Sequence, residues 1–416
     1  MPLETHQILF PILFSLHFSL CTCPYPTLMP LPKRLLNQIP PQILTDPALN
    51  QAISHLPPNY NFEVHKCIWK IRSLQPKCIA LQLPEGLLRW ACLLSDIFTE
   101  FSNASDTQVI IMGDVTYGAC CIDDYTAASL GADFLIHYGH SCLVPIDVTK
   151  IATHYVFVDI AFDPDHLIDI LKRNFLHSTV ALMGTVQFLS TINLVASRME
   201  GTGVKIVVPQ EKPLSRGELL GCTAPANIAQ ALGVDALVYV ADGRFHLEAV
   251  MIANPSLAAY QYDPYSKKIT RESYDHALML SLRESAILKA RTFIMNNEIV
   301  GLIIGTLGRQ SSPTSISFIE DRLIEAGIRF VKVCVSEISP SKLLMFPGVG
   351  CWIQTSCPRL SIDWGYSYAK PLLSPYEGAV LLKAGEWNAS VYPMNFYSRA
   401  NASPWTPYWN GGANKV

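Results

Sequence analysis

From residue 60 onward the chain alternates between two patterns. Short apolar, β-branched runs end in Gly, Pro or Asp, and amphipathic stretches separate them. The runs are Cys78–Leu83, Val109–Met112, Phe134–Tyr138, Tyr155–Val158, Val180–Met183, Lys205–Val208, Ala236–Val240, Val300–Ile304, Phe330–Val335 and Cys351–Thr355. Runs of this length bounded by turn residues predict strands buried on both faces. Between them Glu85–Ser102, Tyr125–Leu130 and Ser315–Ala326 read as helices. Strand and helix in alternation imply mainly parallel sheets joined by helical crossovers, an α/β protein.

The spacing divides the chain into three similar α/β domains, 37–175, 176–296 and 297–385, with no clear sequence repeat between them. Residues 386–416, rich in Trp, Tyr, Asn and Pro, read as an irregular C-terminal tail lying on the surface. The proline-rich stretch 39–58 reads as an extended lead-in with one short helical piece.

Residues 1–36 form an atypical leader, expected to be disordered or not native. Ile8–Leu20 is apolar and is followed by Cys21-Thr22-Cys23, and N-x-S sequons begin at Asn103, Asn388 and Asn401. A secreted, disulfide-bonded glycoprotein is one reading of these features. Against it, the leader has no basic flank, contains Pro11 and His17, and has no small-x-small cleavage site. Thirteen apolar residues are also too few to span a bilayer.

Composition narrows the function classes. Half of the 416 residues are apolar and 16% are charged, against roughly 25% in ordinary soluble domains, so a large core is affordable. A net charge of −3 with no long basic run gives no electrostatic footprint for nucleic acid. The dinucleotide turn G-x-G-x-x-G, the phosphate loop, the H-E-x-x-H helix and any C-x-x-C pair are absent.

Of the twelve cysteines, Cys67 and Cys92 fall in helical patterns and Cys78 and Cys334 in strand patterns, as expected of buried free thiols. Three others lie past strand ends, in turns. Cys120 follows Gly118-Ala119, Cys222 follows Gly221, and Cys357 precedes Pro358-Arg359, one in each domain. In open parallel sheets ligands sit beyond the carboxyl ends of the strands. Three thiolates from three domains converging on one metal centre is one reading, and buried inert thiols is the other. Cys142 and Cys121 are rival ligands. Asp114, His137, His140, Asp242, Arg244, Arg309, Arg359 and Asp363 either line a pocket or cap helices and pair with one another.

Longer segments carry a resemblance. QLPEGLL (82–88), GDVTYGACCIDDYTA (113–127), GADFLIHYGHSCLVP (131–145), DGRFHLEAVMIANP (242–255), GTLGRQ (305–310) and SCPRLSIDWG (356–365) resemble the eukaryotic subunit 1 family of diphthamide biosynthesis, 2-(3-amino-3-carboxypropyl)histidine synthase. The likeness runs from Asn37 to Ala379 and more loosely through Tyr392–Pro407; the leader does not share it.

The resemblance implies a [4Fe–4S] cluster at the domain junction, held by the first Cys of GACC and the Cys residues of LGCTAP and CPRLSID, here Cys120, Cys222 and Cys357. It implies S-adenosyl-L-methionine as cosubstrate and a radical transfer of its 3-amino-3-carboxypropyl group to C2 of a histidine of elongation factor 2. It further implies a heterodimer with the related subunit 2, a small electron-donor protein, and a cytoplasmic enzyme with neither nucleic acid nor membrane as partner. Two alternatives are a non-catalytic partner subunit of the same complex and a binding protein in which the same thiolates hold Zn²⁺.

Overall fold

The computed structural model describes residues 39–104, 106–113, 122–139, 143–410, and the strands among them form three main sheets. After β1 (Tyr60–Asn61) come β2 (Cys78–Gln82), β3 (Gln108–Ile111), β4 (Phe134–Tyr138) and β5 (Ala152–Val156), which make a parallel sheet of order β3-β2-β4-β5. The short β6 (Asp159–Ile160) pairs antiparallel with β1. The second sheet, of order β8-β7-β9-β10-β11, uses β7 (Thr179–Gly184), β8 (Lys205–Val207), β9 (Ala236–Val240), β10 (Ala258–Asp263) and β11 (Lys268–Glu272). The third, β13-β12-β14-β15, uses β12 (Ile299–Gly305), β13 (Phe330–Val335), β14 (Val349–Gln354) and β15 (Leu372–Leu373). All pairings in these sheets are parallel except β10 with β11.

The three sheets repeat one order. In each, the first strand is central, the second lies on one side and the third on the other. The chain therefore reverses its winding between the first and third strands, where a crevice opens at the carboxyl ends. The central strands are apolar for a simple reason: β2, β4, β9 and β14 are buried along their whole length, covered on both faces. All three sheets lie within the single unit that starts at Pro40.

The expected α/β architecture is the observed one, and several local expectations need correction. The hairpin β10–β11 is not among the expected strands, because AAYQYD and KITRE are too polar to stand out. Its turn is set by Asp263, whose carboxylate accepts from the backbone N–H of Tyr265 and Ser266 and from the Ser266 hydroxyl. The helix expected over Glu85–Ser102 divides into a 3₁₀ segment, Glu85–Trp90, and an α-helix, Ala91–Glu100. The lead-in carries two short helices, Pro41–Leu44 and Pro47–Ile53, each opened by a proline at its first position.

The described part of the tail, to residue 410, is irregular, yet it does not lie on the surface. Tyr392, Met394, Phe396, Tyr397, Ser398 and Thr406 are all buried. Its aromatic residues find partners in the body of the protein, which removes from water the area that such side chains otherwise expose.

All seven described cysteines are free, but burial divides them. Cys67, Cys78 and Cys351 are buried, whereas Cys92 and Cys334, expected in the core, are exposed. Cys92 falls on the outer side of its helix, and Cys334 belongs to β13, an edge strand. Cys92→Ser and Cys334→Ser should each change stability by no more than about 0.5 kcal/mol in denaturant titrations.

One buried base makes stability depend on acid. His154 on β5 is enclosed, and burial, then Lys70 and Lys66, push its pKa from 6.5 down to about 3. The unfolded chain takes up that proton near the ordinary value, so stability present above pH 6.5 is lost as pH falls toward 3. At pH 5 the loss from this group is roughly 2 kcal/mol. His154→Leu should flatten the acid side of the stability profile, read from urea midpoints at pH 7 and pH 5.

Candidate metal centre

Cys357 sits just past the carboxyl end of β14, at the N-cap of the Pro358–Trp364 helix. Gln354, fully buried, holds this turn. Its amide nitrogen donates to the Cys357 carbonyl at 2.8 Å and its amide oxygen accepts from the Ser356 N–H at 2.7 Å. From the neighbouring strand, the Ile303 carbonyl accepts from the Thr355 hydroxyl at 2.9 Å, and Ser311 joins Thr355 at 3.0 Å. Gly305 must lack a side chain here, because a Cβ would stand 2.0 Å from the Ser356 hydroxyl oxygen. Thus the end of β12, carrying the GTLGRQ segment, fixes the turn that presents Cys357.

Cys222 occupies the corner of a tight turn in which Leu220 and Thr223 exchange backbone hydrogen bonds at 3.2 and 3.3 Å. Gly221 again permits the approach, since a Cβ on it would lie 2.1 Å from the Phe245 ring. The tail closes the turn from outside. Asn395 forms a β-bridge with Thr223, the Phe396 N–H donates to the Cys222 carbonyl at 3.2 Å, and the Tyr397 N–H donates to the Thr223 hydroxyl at 2.9 Å. Leu143, Leu214, Leu220, Phe396 and Tyr397 form a buried apolar cluster against which Cys222 packs.

Burial first, and then the nearby Cys357, push the Cys222 thiol up to about 12. Burial also raises the Cys357 thiol, opposed by hydrogen bonds from the backbone N–H groups of Arg359 and Leu360 and by the Arg359 charge. Left alone, both are neutral thiols at pH 7. A metal must displace their protons to bind.

Arg359 joins the two turns. It is 2% exposed, and its guanidinium donates to the carbonyls of Gly221 (3.1 Å) and Phe245 (2.7 Å), to Glu248 (2.5 Å) and to Asp363 (2.9 Å). Its plane lies 4.2 Å from the centre of the Phe245 ring.

Cys120, with the rivals Cys121 and Cys142 and with Asp114 and His140, lies outside the described residues. The chain that follows Cys120 is firmly held. Asp124, fully buried, receives a two-pronged contact from Arg309 of the third sheet's β12 loop at 2.7 and 2.7 Å, and the Lys150 N–H at 2.5 Å. Arg309 also stacks 4.4 Å over Tyr125. Among the described residues no three His, Cys, Asp or Glu side chains gather as a metal-binding group, as two of the three expected ligands cannot supply one.

The other polar candidates mostly pair. Arg244 meets Glu248 and Glu272, Asp363 meets Arg359, and His137 bonds Gln82 at 2.8 Å. Asp242 differs. It lines a cavity of about 270 Å³ with Tyr60, Pro84, Gly139, Val186 and Tyr265. Pro84 and Gly139 follow β2 and β4, and Val186 and Asp242 follow β7 and β9. One cavity therefore faces the winding reversals of two sheets, where ligands of such folds bind. Sequence reasoning missed it because it depends on two sheets meeting.

A profile of the diphthamide synthesis protein family matches residues 83–393, three quarters of the chain. The chain belongs to this family. Among its curated relatives is 2-(3-amino-3-carboxypropyl)histidine synthase subunit 1 of Neurospora crassa, 53% identical over 373 residues, covering 88% of this chain and 80% of that protein. The protein of the same name from Homo sapiens is 52% identical, with 90% and 83% covered. That from Schizosaccharomyces pombe is 52% identical, with 90% and 85% covered. The fold of Dph2 from Pyrococcus horikoshii, a crystal structure with a 4Fe-4S cluster, superimposes with a TM-score of 0.63 at 22% identity, covering 80% of this chain and 97% of that one. At that identity the likeness speaks for the fold. The segments GTLGRQ and SCPRLSIDWG are the ones that build the Cys357 turn and brace Asp124. No helix among the described residues is long and apolar enough to cross a membrane.

Proposed function

We propose that this chain is the cluster-binding subunit of the enzyme that begins diphthamide synthesis, transferring the 3-amino-3-carboxypropyl group of S-adenosyl-L-methionine to C2 of a histidine of elongation factor 2. The observation that carries the reading is the pairing of Cys222 and Cys357. They are two free, part-buried thiols from different sheets, at turns shaped by Gly221 and Gly305 and tied together by the Arg359 guanidinium, in a family whose relatives are named for that product.

The donor set fits an iron–sulfur group. Thiolates are its ordinary ligands, and nearby charge such as that of Arg359 would tune it. Cys222 and Cys357 would hold it together with Cys120, one ligand from each of three α/β domains, 37–175, 176–296 and 297–385. Held by Cys120, Cys222 and Cys357, a [4Fe–4S] cluster would supply one-electron reduction, and three protein ligands would leave room for the cosubstrate.

What the chain itself contributes is placement. The Gln354 and Ser311 contacts fix one thiolate, and the tail and Arg359 fix the other. The Asp242 cavity suits a cationic guest, since a single carboxylate stands there among Tyr60, Tyr265 and aliphatic walls. The sulfonium cosubstrate carries such a charge. The subunit designation of the relatives implies a complex, and we take the partners to be the related subunit 2, elongation factor 2 as protein substrate and a small electron-donor protein, all in the cytoplasm.

Products test this reading. Given a chemical reductant, the second subunit, elongation factor 2 and S-adenosyl-L-methionine, the protein should release methylthioadenosine and add an aminocarboxypropyl group to one histidine. 5′-Deoxyadenosine as the main product would overturn it. Methylthioadenosine formed without reductant would replace the radical step by a polar alkylation.

A further inference from the structure

We propose that Arg359 is a positioning residue for the metal centre: its guanidinium ties the Gly221 carbonyl, beside Cys222, to the helix that Cys357 opens, and so fixes how far apart the two thiolates stand. The inference rests on the cluster reading above and assigns to one side chain the geometry of two of its ligands.

The contacts leave the guanidinium no freedom. Nη1 is shared by the carbonyls of Gly221 and Phe245, Nη2 meets Glu248, and Nε meets both oxygens of Asp363. Its face is closed by the Phe245 ring at 4.2 Å, and that ring is itself the wall against which Gly221 fits. Gly221, Phe245 and Arg359 thus form one stack that spans the second and third sheets. A planar fork of five donors can hold this arrangement, whereas an ammonium on a flexible stem reaches one or two of the acceptors.

A purely stabilising role explains the arrangement poorly. Buried ion pairs contribute little net stability over apolar replacements of the same size. The protein holds a second, equally buried example in Arg283, which meets Glu377 at 2.7 and 2.5 Å and the Leu372 carbonyl at 2.7 Å. That pair touches neither cysteine. Arg359 differs in where its bonds fall, one on the residue before Cys222 and the rest on groups around it. It also brings a positive charge against the residue before Cys222, two residues along the helix that Cys357 opens, balanced by Glu248 and Asp363, with Arg244 on the far side of Glu248 at 2.9 Å. Charge and hydrogen bonding around ligand sulfurs set the potential of such centres.

The experiment compares Arg359→Lys with Arg283→Lys in the full chain, loaded anaerobically beside its partner subunit. Thermal midpoint, iron per folded chain, the electron paramagnetic resonance spectrum of the reduced centre and its midpoint potential are read for each. Both variants should melt lower. Arg283→Lys should keep the wild-type spectrum and potential. Arg359→Lys should shift both and lose iron to a chelator about tenfold faster, the lower end of the usual effect of groups that orient metal ligands. An Arg359→Lys centre with wild-type spectrum, potential and chelator resistance overturns the proposal. Should Arg359→Lys fail to fold, Glu248→Gln removes a charge partner from the same guanidinium, and an unchanged potential in that variant overturns it equally. A wild-type chain that takes up no iron overturns the cluster reading and this inference together, whereas a normal wild-type centre with an unmoved variant spectrum overturns only the inference.

Discussion

Cys222→Ala and Cys357→Ala should each purify as folded protein with little iron and no transferase activity, and Cys120→Ala should match them. Each change strips one thiolate from the centre and leaves no replacement. Rivals are poorly placed to step in among the described residues: Cys67 is buried beside Tyr138, Cys78 and Cys351 are enclosed within β2 and β14, and Cys92 and Cys334 face solvent. The fold itself should survive, because removing a sulfur from a part-buried turn costs about 1–3 kcal/mol. Iron and acid-labile sulfide per chain, measured beside the circular dichroism spectrum, separate loss of the centre from loss of the fold. Full iron occupancy in the Cys222→Ala protein would remove that residue from the ligand set.

A second large effect is expected far from any reactive group, in the tail. Phe396 packs into the cluster of Leu143, Leu214, Leu220 and Tyr397, and its N–H meets the Cys222 carbonyl. Phe396→Ala removes a buried ring and should cost about 3–5 kcal/mol, the usual loss for such a truncation in a core. Because the same residue backs the Cys222 turn, iron should leave the variant faster than from a core variant of equal stability elsewhere, such as Phe98→Ala in the buried face of the Ala91–Glu100 helix. Denaturant midpoints give the first quantity and chelator kinetics the second. Equal rates of iron loss in the two variants would show that the tail supports the fold but not the turn.

These residues also show what was legible in the sequence. The central strands were, because burial on both faces requires continuous apolar runs such as Phe134–Tyr138 and Ala236–Val240, and both were placed at their observed bounds. The β10–β11 hairpin was not, since its identity comes from the Asp263 turn and not from apolar pattern. Cys222 and Cys357 were legible as candidates because glycine, proline and cysteine cluster at predicted strand ends. Their convergence was one of two readings, but the contacts that join their turns were not legible, because Arg359 reaches Gly221 and Glu248 across more than a hundred residues. The tail was misjudged for a related reason. Tyr392, Phe396 and Tyr397 are spaced without helical or strand periodicity, and only the tertiary fold shows that Glu377, Thr223 and Leu143 wait for them. Cys334 failed in the opposite direction: its run is apolar, but an edge strand leaves alternate side chains in water.

The most direct measurement is the metal itself. Wild-type protein purified anaerobically should be brown, with broad visible absorption that bleaches on reduction, and should contain iron and acid-labile sulfide in equal amounts. A colourless protein containing zinc and no sulfide would contradict the account.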